Sequence, residues 1–164
     1  MNSREINASN QYLREIEQGN LVSMGRASSL GWILFVKDDE EYALHLQTAF
    51  RIIVEEKIFL ASSDMFQPSD RIQSDDKFDF ETFEWDIQGN NRYDERVKQF
   101  MEKYDHNLRV NSVSVNQTGD LSIQLSEKIR MEAFIDMSEE ESWRFFKRHS
   151  DRHLVIGAEG IIEN

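Results

Sequence analysis

Apolar and polar residues alternate along most of this chain with the short period of β-strands, interrupted twice by the longer period of a helix. The first interruption is predicted over Asn10 to Gln18, with Ser9 or Asn10 as N-cap, Tyr12, Leu13 and Ile16 as the apolar stripe and Gly19 as the stop. Strand patterns follow at Leu21 to Ala27, Gly31 to Lys37, Tyr42 to Phe50, Ile52 to Val54 and Ile58 to Ala61. The second helix is predicted after a cap at Asn90 or Asn91. Asp94 and Glu95 sit in its first turn, where the helix dipole favours negative charge, and Val97, Phe100, Met101 and Tyr104 share one face. Further strands are predicted at Val110 to Val115, Leu121 to Leu125, Ile129 to Ile135, Trp143 to Phe146 and Leu154 to Ile156. Turns this short between strands require antiparallel pairing, since parallel pairs need crossovers of a dozen or more residues.

The chain thus divides into two halves, each a helix followed by a meander. Gly31-Trp32-Ile33-Leu34-Phe35 aligns with Gly119-Asp120-Leu121-Ser122-Ile123, 88 residues on, and Phe50-Arg51-Ile52 aligns with Trp143-Arg144-Phe145, 93 residues on. The five extra residues of the second copy fall most simply in Ser138 to Glu141. The expectation is an α+β domain spanning 1–164. Two antiparallel lobes, 1–60 and 91–164, are related by a pseudo-two-fold and joined by a junction, 61–90.

Composition narrows the chemistry. Of 164 residues 39% are hydrophobic, enough for a core without staples at this length, and cysteine is absent, which excludes thiol catalysis, disulfides and Cys-ligated metals. Lys and Arg number 19 against 31 Asp and Glu, a net charge of −12, which argues against a phosphate-binding surface and hence against nucleic acid as a partner. Met1 to Asn20 has no apolar stretch of a secretory signal, and the longest apolar run, Trp32 to Val36, is far short of the roughly 20 residues of a membrane span. The expectation is cytoplasmic residence with no membrane partner.

Candidate catalytic groups are sparse. His45 and His106 stand alone, and His149 and His153, though spaced i, i+4, lie in the polar stretch His149-Ser150-Asp151-Arg152-His153 between two strand patterns rather than on a helix. Paired acids such as Asp38/Asp39, Glu55/Glu56 and Asp75/Asp76 occupy turns, where solvation keeps their pKa values together instead of splitting them as acid–base catalysis requires. Phosphate loops, nucleophile elbows and calcium-loop spacings are missing from the sequence. A protein that is no enzyme, with no cofactor and no metal, is expected.

The junction carries the strongest local signal. Between Ala61 and Asn90 two basic residues face eight acids, a net −6, against −3 for each flanking half. Phe66, Phe78, Phe80, Phe83 and Trp85 are threaded among those acids, and Phe78 to Glu81 and Phe83 to Ile87 alternate apolar with acidic like a strand broken at Thr82. Buried aromatics on an acid-guarded edge strand would explain this. So would a docking surface for a basic partner, with Asp70, Asp75, Asp76, Asp79, Glu81 and Glu84 as the charged contacts and Phe66 and Phe78 as anchors. In the repeated triplets, Arg144 is expected to pair with a cross-strand acid such as Glu132. The sharper alternative puts Arg51 and Arg144 in one groove as anion contacts.

Gly25-Arg26-Ala27-Ser28-Ser29-Leu30-Gly31-Trp32, Trp85-Asp86-Ile87-Gln88-Gly89-Asn90-Asn91 and Glu141-Ser142-Trp143-Arg144-Phe145-Phe146 resemble stretches of small acidic bacterial proteins, some of which are immunity partners of secreted polymorphic toxins. That resemblance implies a cytoplasmic inhibitor of a toxin domain, with no catalytic residues to carry over; the acidic surface, separately, makes a basic, nuclease-like partner the expected target. The competing expectation is a small-ligand-binding or regulatory β-domain whose pocket between the lobes is lined by Trp32, Phe35, Trp143 and Phe145.

Overall fold

The period-two alternation builds one antiparallel sheet. In the computed structural model, which describes residues 1–104 and 108–162, eleven strands run in the order β11-β10-β9-β3-β2-β1-β6-β7-β8-β4-β5. They are β1 (Asn20–Ala27), β2 (Leu30–Lys37), β3 (Glu40–Leu46), β4 (Ala49–Val54), β5 (Lys57–Ala61), β6 (Leu108–Val115), β7 (Leu121–Leu125), β8 (Ile129–Phe134), β9 (Glu141–Lys147), β10 (His153–Gly157) and β11 (Gly160–Ile161). The helices are α1 (Ser3–Leu13), the single-turn α2 (Asp70–Gln73) and α3 (Arg92–Tyr104). The fold is α+β, as the pattern of periods predicts.

Strand order shows how the halves combine. β1, β2 and β3 form one meander and β6, β7 and β8 the other, and the two meet where β1 pairs with β6. The remaining strands cross over: β4 and β5 complete the second meander beside β8, while β9 and β10 complete the first beside β3. The two meander lobes thus belong to one sheet, and each is completed by strands from the other half of the chain. Register supports the pseudo-two-fold, because Phe50 lies opposite Ala133 while its counterpart Trp143 lies opposite Leu46. By the same register Gly31, opposite Leu46, corresponds to Leu121, opposite Ala133, and not to Gly119. The two glycines also serve different ends. The ring of Phe50 lies 2.7 Å from where a Cβ on Gly31 would stand, whereas Gly119 holds a turn at φ +91°.

Connection lengths force the sheet to curl. β3 and β4 stand six places apart in the sheet, roughly 29 Å if it were flat at about 4.8 Å per strand. Only Gln47 and Thr48 join them, a link that reaches at most about 11 Å. Tyr42 to Phe50, expected as one strand, is thus a bent pair whose first part serves one half and whose second part serves the other. The equivalent crossing from β8 to β9 takes residues 135–140 where the first takes only Gln47 and Thr48, so extra length of the second half lies in this crossing.

The concave face is the core. Ile33, Phe35, Leu44, Leu46, Ile52, Ile123, Met131, Trp143 and Phe145 are buried there, under Tyr12, Leu13 and Ile16 from the first helical segment and Tyr93 and Phe100 from α3. Phe145 meets Tyr12 edge-on at 5.2 Å and stacks on Tyr42 at 5.8 Å, and the Trp143 indole N–H donates to the Gly119 carbonyl at 2.8 Å. The first helix begins earlier than its apolar stripe suggests, because Asn2 caps it and forms a reciprocal box with Glu5. Arg14–Ile16 then tighten into a 3₁₀ turn where the sequence pattern extends the helix to Gln18.

Candidate functional site

The junction is not a strand. It consists of a 3₁₀ turn at Ser62–Phe66, α2, a second 3₁₀ turn at Phe80–Thr82 and irregular connections, with one isolated bridge between Pro68 and Asn91. Local hydrogen bonds explain the departure. Asp75 accepts from the Lys77 N–H and Asp79 from the Glu81 N–H, both at 2.9 Å, so side chains take up the backbone groups a ladder would need.

A buried arginine fixes the C-terminal part of this segment to the sheet. Arg26 on β1, its side chain 2% exposed, donates from Nε and Nη2 to the two carboxylate oxygens of Asp94 on α3 at 2.8 and 2.9 Å. It also reaches the carbonyls of Ser28, Trp85 and Asp86 and, at 3.3 Å, the Asp86 carboxylate. The hydrogen bonds that Arg26 donates to Asp94 raise the guanidinium's pKa further, against the opposing effect of burial. Asp94 accepts in addition from the Gly89 N–H at 2.8 Å, and Asn91 caps α3 through the Asp94 N–H while donating to the Trp85 carbonyl, each at 2.8 Å. The predicted cap at Asn91 therefore also anchors the loop, a role its sequence position does not disclose.

Outside this anchor the carboxylates face solvent. Asp70, Asp75, Asp76, Asp79, Glu81 and Glu84 are exposed, and none forms an ion pair with a described residue. Phe66, one expected anchor, is 51% exposed and meets Trp85 edge-on at 4.8 Å. Phe78, the other, is half-buried against Phe80 at 4.9 Å and Phe83 at 6.3 Å, and its neighbour Phe80 is the more exposed ring at 64%.

Phe66 also forms one wall of a cleft of about 470 Å³ at the place where the two strand crossings meet. Leu30, Gln47, Thr48, Met65, Asp136, Met137, Glu140 and Glu141 contribute to the remainder, and among the described residues no Lys or Arg lines it. The Thr48 hydroxyl lies between the Phe134 carbonyl and Asp136 Oδ1, 2.7 Å from the latter, and the Ala49 N–H donates to Asp136 Oδ2 at 3.2 Å. Asp136 and Met137 are site residues that the sequence pattern leaves unmarked, and Glu140 stands out there only as part of the insertion and of the solvated acid run Glu139-Glu140-Glu141. The one signal available is that this insertion lengthens a crossing.

Arg51 and Arg144 stand at equivalent places in the two halves, yet they do not line this cleft and each is neutralised separately. Arg51 is bound to its cross-strand neighbour Glu132 at 2.7 Å, whereas Arg144 is held by Glu141 of its own strand at 2.6 Å. The expected Arg144–Glu132 pair is thus replaced, because β8 faces β4 and not β9. His45 packs edge-on against Phe146, and burial followed by the charge of Arg144 pushes its pKa down. His153 opens β10 and His149 lies in a turn at φ +61°, so the i, i+4 pair is not on a helix, and His106 lies outside the described residues. The four rings proposed to line a pocket do not share one. Phe35, Trp143 and Phe145 are buried in the core, while Trp32 alternates to the opposite face of β2 and covers Gly25.

Among the described residues no helix is long and apolar enough to cross a membrane, and no three His, Asp or Glu side chains converge as metal ligands. Comparisons with protein-family models, with curated proteins and with solved structures return no match. The arrangement itself is the basis for a functional reading: a loop anchored at its C-terminal end that displays carboxylates without ion-pair partners among the described residues beside exposed aromatic rings.

Proposed function

We propose that the protein is a non-catalytic binding protein whose acidic, aromatic-bearing face holds a basic protein partner, in the manner of an immunity protein that occupies the phosphate-binding cleft of a nuclease-like toxin. One observation carries the reading: six junction carboxylates without an ion-pair partner among the described residues stand beside the exposed rings of Phe66 and Phe80. Unpaired surface charge accelerates encounter with an opposite charge, and exposed aromatics supply the desolvated anchors that carry most interface energy. Anchoring by Arg26 and Asp94 lowers the ordering cost of presenting the loop. The pocket-based alternative draws no support from rings of which three are buried in the core and the fourth lies on the opposite face of β2.

The test is affinity capture from the producing cells at about 50 mM salt, with partner identification and a binding titration. A basic partner is expected, with an affinity that falls at least about tenfold between roughly 50 and 300 mM salt. Replacing Asp75, Asp76, Asp79, Glu81 and Glu84 by their amides should weaken it comparably. A partner whose affinity ignores both salt and neutralisation overturns the proposal.

A further inference from the structure

We infer that the cleft between the strand crossings receives an arginine side chain of the basic partner; the inference rests on the binding function proposed above and assigns it a specific subsite. Two of the few large apolar side chains left exposed, Phe66 at 51% and Met137 at 38%, flank this one cleft. A side chain that enters between them must cover apolar walls along its length and satisfy charge at its end. Both requirements are met by a long aliphatic stem ending in a cation.

The charge is held in place and left uncompensated. One Asp136 oxygen accepts from the Ala49 N–H and the other lies 2.7 Å from the Thr48 hydroxyl, whose single proton is shared with the Phe134 carbonyl, so the carboxylate is oriented by neutral groups without being neutralised. Glu140, at φ +69°, is exposed and has no ion-pair partner among the described residues. Glu141, by contrast, is occupied by Arg144 at 2.6 Å, and the described lining residues include no cation to oppose the other two. A volume of about 470 Å³ falls within the roughly 300–1,000 Å³ of sites that take small ligands, so one side chain enters together with the backbone that carries it. Arginine suits the walls better than lysine. Its planar guanidinium stacks on the face of an aromatic ring such as Phe66 while presenting several donors to carboxylates on either side.

The experiment is an NMR titration of the full chain, ¹⁵N-labelled, with N-acetyl-Gly-Arg-Gly-amide and, in parallel, with the peptide that carries norleucine in place of arginine. The arginine peptide is expected to move the amide signals of Thr48, Phe66, Met137 and Glu140, with norleucine giving little change. Glu140→Gln and Phe66→Ala should each weaken binding on the order of threefold to tenfold. Both positions are exposed, and unchanged signal dispersion verifies that the variants fold. Equal response to norleucine overturns the inference, as does the absence of any response. Shifts confined to residues 75–84 also overturn it while leaving the wider binding face intact. Loss of salt-dependent partner capture, in turn, is the separate result that removes the proposed function.

Discussion

Asn20 on β1 lies opposite Arg109 on β6 across the seam between the halves, and the two residues, 89 positions apart, are the same place in the two helix-plus-meander units. Exchanging the halves returns this pair to itself, so the pseudo-two-fold axis passes between them. Around it the Val110 N–H donates to the Gly19 carbonyl and the Gln18 N–H to the Val110 carbonyl, both at 2.8 Å. At the seam the ladder is short, with Leu21 and Leu108 as the other registered pair. The halves are held together chiefly by the strands they exchange.

Strand exchange predicts a single cooperative unfolding. Neither meander can lose its partner's strands without exposing core residues such as Ile52 or Phe145. Urea titrations followed by far-ultraviolet circular dichroism and by tryptophan fluorescence should therefore coincide. Two separated transitions would show that the halves are independent.

Arg26→Ala strands Asp94 as a buried carboxylate whose main counter-charge is gone. The expected cost is about 3–5 kcal/mol, the range for breaking a buried pair on one side. Hydrogen exchange should accelerate most at residues 85–91, which the guanidinium ties down. An Arg26→Ala protein with wild-type stability and protection would contradict the anchoring role.

The β4–β5 hairpin turns through Glu55 and Glu56 at φ +48° and +66°, a left-handed conformation that glutamate adopts at a cost of roughly 1 kcal/mol or more per residue. Asn-Gly is the dipeptide best suited to this turn. The double substitution Glu55→Asn/Glu56→Gly should raise stability by about 1 kcal/mol, measured as a higher urea midpoint at unchanged slope.

Stability should fall on acidification in two stages. For His45, lowered by burial and by Arg144, the unfolded chain takes up the proton first. Its contribution is complete above the unfolded value of about 6.5 and is lost as pH falls below it. Two carboxylates act at lower pH. Burial pushes Asp120 and Glu132 up, but hydrogen bonds outweigh it, from the Ile135 backbone, Asn116 and Thr118 to the one and from Arg51 and Arg130 to the other, so both stay below their usual values. Their stabilisation is present above the ordinary carboxylate range and disappears as pH falls through their folded values. Urea midpoints measured from about pH 8 to 3 should show both stages, and His45→Gln should abolish the upper one alone.

Local signals were legible where local physics decides. The helix capped by Asn91, with Phe100 on its buried face, lies where its periodicity and cap place it, and Leu121–Leu125 is a strand with one buried face as its alternation predicts. Misreadings arose where two local signals compete. An apolar–acidic alternation at Phe78 to Ile87 imitates a strand, yet Asp75 and Asp79 bond neighbouring N–H groups and turn the chain. Tyr12, Leu13 and Ile16 mark a buried face but not a helix end, which the Asn2–Glu5 box sets.

The sequence by itself determined the two classes of element, their antiparallel pairing, the two equivalent triplets and the location of half the net charge in the junction, because each depends on residues close together in the chain. Only the tertiary structure decided which strands pair. Phe50 finds Ala133 and Trp143 finds Leu46 because the crossings at Gln47-Thr48 and residues 135–140 carry each half's last strands onto the other. The cleft is a consequence of the same exchange. Thr48, Phe66 and Asp136 meet where the crossings touch, and pairing between residues so distant in the chain is set by burial of the shared core rather than by any local preference.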